Sequence, residues 1–151
     1  MYSQLAELKE AEVMRQTQAR SISRSVAAVL AGFAVVVVLS LGTDAVLHAT
    51  GVFPREGAAM SSALFLLATT YRTAYGIAGS YVTAWLAPNK PMQHALAGGA
   101  IGLVLSILGA VTTWNENLGP HWYPLALVVT ALPSAWAGGQ LRLLQLRTRR
   151  P

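Results

Sequence analysis

The chain has 151 residues, of which 54% are hydrophobic and only 11% charged, with a net charge of +5. That is about half the charge of an average soluble domain, and a monomer in water has no means of hiding so much apolar surface. The absence of cysteine excludes disulfides, thiolate metal sites and thiol redox chemistry.

Residues 1–24 are polar and include Glu7, Glu10 and Glu12, unlike the basic leader of a signal peptide, so no cleavage is expected. Leu5, Leu8, Val13 and Met14 among these charges suggest a short interfacial helix, with a frayed cytoplasmic tail as the alternative. From Ser25 to Thr43 run nineteen residues without a charge. Such a stretch is long enough to cross a hydrocarbon core of about 30 Å, giving a first span over 25–48. A second is predicted over 58–86, with Arg72 as its only charge, a third over 91–114 and a fourth over 121–142. Backbone groups in lipid must bond internally, so these spans are helices. Short connections then make sequential helices antiparallel neighbours. The resulting expectation is an all-α integral membrane protein, an antiparallel four-helix bundle over 25–144 followed by a basic tail at 145–151.

Nine of the eleven basic residues fall on one side: Lys9, Arg15, Arg20, Arg24, Lys90, Arg142, Arg147, Arg149 and Arg150. Arg55 lies on the other, so both termini are expected in the cytoplasm, in a membrane of bacterial inner-membrane type. Trp85 at one interface and Trp114, Trp122 and Tyr123 at the other agree with that orientation. The arginines after the fourth span read as a stop-transfer flank that meets anionic headgroups. With no interleaved aromatics, they do not read as a nucleic-acid surface.

Helix association in lipid relies on small residues that allow close backbone approach. The third span carries Ala95, Gly98, Gly102, Ser106 and Gly109 on one stripe, the second Thr69, Thr73, Gly76, Ser80 and Thr83, and the fourth Ser134 and Gly138. Small faces on several helices make a homo-oligomer, or a place in a larger membrane complex, the expected partnership. Pro133 predicts a kink that frees the carbonyl of Val129.

Arg72, placed near the bilayer midplane, costs roughly 2.5–3.5 kcal/mol to insert and requires a partner or water. Asp44, the only carboxylate in or bordering a span, is the expected partner. An axial gap of ten or more ångströms (about seven residues of helix) calls for a bridging water or Tyr75. Asp44 and His48 share a helix face, and with Glu116 and His121 they make a candidate outer-face polar cluster. Two histidines and a carboxylate suit zinc or iron, against the plainer reading of a solvated rim. His94 reads as an interfacial residue. All three histidines lie near span ends, which disfavours a bis-histidine haem. Tyr71, Tyr75 and Tyr81 read as packing residues that are also able to stack on a quinone or pigment. No nucleotide or hydrolase motif is present. No cofactor is predicted, with a metal or pigment left open.

In size and span number the chain is similar to the small multidrug-resistance transporters and to the eicosanoid and glutathione membrane enzymes. It lacks the glutamate that the former carry within the first helix, having only Asp44 at its far end, and the paired Glu-Arg and Asn elements of the latter. Three functional readings follow. The first is a structural or accessory membrane subunit without catalytic machinery. The second is a transporter or channel protomer that handles an ion or anionic solute through Arg72 and Asp44. The third is a membrane enzyme built on the outer carboxylate and histidines.

Overall fold

A computed structural model describes residues 2–55, 58–116 and 119–148. The expected Glu56 loop position and the terminal Arg149 and Arg150 lie outside the described residues. Four helices, α1 (Tyr2–Ala49), α2 (Ser62–Leu86), α3 (Pro91–Thr113) and α4 (Trp122–Thr148), account for the architecture, with no strand among the described residues.

The first helix differs most from expectation. In place of a short interfacial helix and a separate span, α1 is one element of 48 residues, about 70 Å at 1.5 Å per residue. The reason is local: between Tyr2 and Gly32 there is no glycine or proline, and the segment is rich in Ala, Glu, Gln, Lys and Arg, all good helix formers. The other elements begin and end close to their predicted limits, except that α2 starts at Ser62 and α4 continues to Thr148 through Pro133. The tight turn between α2 and α3 places Lys90 in the left-handed region (φ 41°), and Pro91 opens α3, where a missing backbone N–H is harmless.

Two segments, Glu12–Ala49 and Pro91–Thr113, are long and apolar enough to cross a membrane. Helices α2 and α4 have the length without the apolarity. Arg72 stands among many serines, threonines and tyrosines in α2, and α4 ends in Arg142, Gln145 and Arg147.

Cross-helix contacts fix direction and register. The pairs Asp44–Arg72 and Thr43–Tyr75 near the C-terminal end of α1, and Gly32 against Thr83 and Gly79 nearer its middle, make α1 and α2 antiparallel. Gly99 against Ala135 and Gly139 against Met92 make α3 and α4 antiparallel. Phe65–Tyr123, Gly76–Ser134 and Tyr81–Gln145 run in the same sense, so α2 and α4 are parallel. These two lie in extensive contact, whereas among the described residues the backbones of α1 and α4 do not approach closely.

The interior is built of small residues. Among the described residues Ala28, Ala68, Ala84, Ala95, Ala110 and Ala135 are buried beside two large side chains, Phe53 and Phe65. Leucines, valines and tryptophans point outward on all four helices, among them Leu30, Leu66, Val104, Val129 and Trp136.

Of the glycines that close the bundle, Gly138 belongs to the α4 stripe, but Gly32 and Gly79 belong to none of the stripes. A Cβ on Gly32 would lie 2.6 Å from the carbonyl oxygen of Gly79, and one on Gly138 would lie 2.7 Å from both Ser80 Cβ and Tyr81 N. By contrast, a Cβ on Gly98 or Gly102 would meet nothing nearer than 3.9 or 4.0 Å, and on Gly109 nothing at all within 4 Å. The most regular small-residue pattern in the sequence is therefore not a tight helix contact. Gly76 is intermediate, 3.3 Å from Ser134.

Candidate functional site

Arg72 and Asp44 meet directly. The guanidinium Nη2 donates to Asp44 Oδ2 at 2.6 Å, and Tyr71 donates its phenol proton to Oδ1, so both carboxylate oxygens are engaged. No water or Tyr75 intervenes; Tyr75 instead shares a 2.8 Å hydrogen bond with Thr43. The expected gap closes because α2 begins four residues late, which moves Arg72 about 6 Å nearer the N-terminal end of its helix. The long side chain reaches the rest of the way. The ion pair is half-buried, with 34% of the Arg72 side chain and 21% of the Asp44 side chain exposed.

Two cavities meet at Arg72. One, of about 230 Å³, is partly open, with walls from all four helices that include Ser40, Ser80, Thr83, Gly98, Gly102 and Ser134. The second, of about 430 Å³, lies between Phe65, Trp114, His121 and Tyr123. Arg72, Ser106 and Leu127 belong to both walls. The α3 stripe Gly98–Gly102–Ser106 thus bounds a chamber: the missing side chains leave space that no neighbouring helix fills. Pro133 follows the chamber-lining residues Thr130 and Ala131 and precedes Ser134.

The remaining candidates do not assemble. His48 Nδ1 lies 2.8 Å from the main-chain oxygen of Asp44, not its carboxylate, and its ring packs edge-on against Phe53. His121 Nε2 contacts the carbonyl of Trp114 at 3.1 Å, and Glu116 is exposed. Among the described residues no three His, Cys, Asp or Glu side chains are grouped to hold a metal ion. His94 bonds Ser25 at 2.8 Å, tying α3 to α1 far from the ion pair.

Sequence reasoning overlooked Tyr71 as the second donor to Asp44, and Thr43 as the partner of Tyr75. A signal was available. Tyr71 and Tyr75 are four apart, hence neighbours on one face beside Arg72, and Thr43 directly precedes Asp44. Gly32 and Gly79 were passed over although each has a small residue at helical spacing, Ala28 four before Gly32, and Gly76 three before and Thr83 four after Gly79. Comparisons with models of known protein families, with curated proteins and with solved structures found no significant match.

Proposed function

We propose that the chain is a four-span membrane protein, cytoplasmic at both ends, in a membrane of bacterial inner-membrane type, and that it handles a small ion or solute at the Arg72–Asp44 pair. The four-span reading is supported by the inverted packing, with alanine and glycine inside and large apolar side chains outside on α2 and α4 as well as on the two strongly apolar helices. In water that arrangement exposes what the hydrophobic effect would bury; in lipid it costs nothing, and close backbone contact holds the helices. The single observation that carries the solute reading is that Arg72 forms part of the wall of both cavities. A residue that serves only to lock helices together has no need of a chamber on either side of it, and intramembrane charges facing cavities commonly mark pathways.

Proteoliposomes carrying the folded protein are expected to pass halide, alkali cation or protons faster than empty vesicles, and Arg72→Gln is expected to change that rate. Flux no greater than that of empty vesicles for all three probes would refute the reading. A second reading, a packing subunit, draws on Gly42, which faces open space where another copy would approach closely, and on Gly109, exposed on the wall of the second cavity. Cysteines introduced at these two positions would cross-link between copies if that surface is used.

A further inference from the structure

The helical hydroxyl groups of this chain differ in how they are satisfied. Away from the chamber, helical threonines bond back to their own helix: Thr17 to Val13, Thr69 to Phe65, Thr70 to Leu66, Thr112 to Leu108 and Thr113 to Gly109, all at 2.7–2.9 Å. In the chamber wall Thr130 does the same toward Ala126 at 2.8 Å, whereas Ser40, Thr73, Ser80, Thr83, Ser106 and Ser134 make no such bond, and none has another side-chain partner among the described residues. Thr83 and Ser134 are only 3% and 6% exposed. Among the described residues the buried side-chain polar atoms without a partner are Arg72 Nε and Arg142 Nε, so the Thr83 and Ser134 hydroxyls are open to whatever fills the chamber.

The vacant groups share one chemical character. Arg72 Nε is buried with no hydrogen-bond partner, and it is a donor. The six hydroxyls can all donate. The one nearby carboxylate, Asp44, has both oxygens occupied by Tyr71 and Arg72, so no free anionic acceptor faces inward to receive a cation. Arg72 and Thr83 lie eleven residues apart on α2, which makes the donor-lined track about 16 Å long. A chamber of about 230 Å³ has room for a small ion with several waters, each of which takes about 30 Å³. Only one guanidinium is present, already shared with Asp44, and this limits the charge that can be matched to a single negative one.

We propose that the chamber between Arg72 and the level of Thr83 and Ser134 is a binding site for a small, partly hydrated monovalent anion of halide or nitrate size. It is held by hydroxyl donors and Arg72 Nε–H. The site deepens the solute reading and rests on it, but the two are tested separately.

Chloride is the probe. For the intact protein in detergent, ³⁵Cl line broadening is expected to exceed that of detergent alone, to saturate, and to be reversed by nitrate but not by gluconate. Thr83→Val with Ser134→Ala, which keeps side-chain volume nearly constant while removing two donors, is expected to weaken the apparent affinity at least tenfold. Circular dichroism and gel filtration report whether the variant is folded. Ser134→Ala alone, the loss of one oxygen, carries the test if the double variant does not fold, with a smaller loss of affinity expected. Absence of saturable broadening in the unaltered protein, meaning a chamber that holds water only, would overturn the site. So would a signal that folded variants leave unchanged, since it would come from surface arginines. Flux without the chloride signal leaves the transport reading standing and removes the anion site; the signal without flux does the reverse.

Discussion

Removal of the Asp44 carboxylate by Asp44→Asn is the most informative single perturbation, because it leaves the Arg72 guanidinium inside the bundle without its counter-ion. With Nη2 and Oδ2 2.6 Å apart, the charge centres are about 4 Å apart, and an effective dielectric near 20 gives an attraction of about 4 kcal/mol. Both side chains retain exposed surface, 34% for Arg72 and 21% for Asp44, so screening reduces that figure. We expect Asp44→Asn to destabilise the fold by about 2–3 kcal/mol, below the 3–5 kcal/mol typical of fully buried pairs broken from one side. The double variant Arg72→Gln/Asp44→Asn should be at least about 1 kcal/mol more stable than Asp44→Asn alone, because no orphaned charge remains. Reversible unfolding in mixed micelles titrated with dodecyl sulfate, followed by tryptophan fluorescence, measures all four corners of the cycle. An Asp44→Asn protein as stable as the unaltered chain, or single effects that simply add in the double variant, would refute the pairing as the anchor of the site.

Other outcomes follow from the same geometry. Gly138→Ala places a methyl 2.7 Å from Ser80 Cβ and Tyr81 N and should cost about 1–3 kcal/mol in the micelle titration, as overpacking does. Gly109→Ala, with nothing within 4 Å, should stay within about 0.5 kcal/mol of the unaltered chain. Gly102→Leu should fold yet slow vesicle flux, because its side chain enters the chamber rather than a helix contact; unchanged flux would separate the chamber from transport. Since the sequence has no cysteine, Arg55→Cys and Leu144→Cys give clean single labels. An impermeant maleimide applied to intact cells should reach the first and not the second, and the opposite pattern would invert the topology.

Helix positions were readable because long uncharged runs bounded by Pro, Gly and Asn leave little choice of element. The N-terminal segment was misjudged on its polarity. Glu7, Lys9 and Arg15 speak to what surrounds a helix, not to whether the helix stops, and nothing between Tyr2 and Gly32 stops it. The partnership of Arg72 and Asp44 was legible because the spans offered no other carboxylate. Its directness was not, since that depended on where α2 begins, and the expected span ran from residue 58 past Ser61, the serine at the N-cap of α2. The glycine stripes misled for a physical reason. A residue without a side chain is compatible with a backbone pressed against it and equally with empty space, and Gly99 and Gly102, three apart on one helix, do one and the other.

The dearth of bulk at the centre of this molecule reverses the usual direction of mutational harm. An ordinary soluble domain is weakened when its interior is trimmed; here Ala28, Ala84, Ala95 and Ala135, each about 1% exposed, offer almost nothing to trim, and damage comes from atoms added. Every replacement of Gly32, Gly79 or Gly138 adds at least one carbon against a neighbouring backbone. The outward-facing leucines and valines can exchange for one another freely, so the chain's tolerance of change runs from almost none along its axis to wide latitude at its rim.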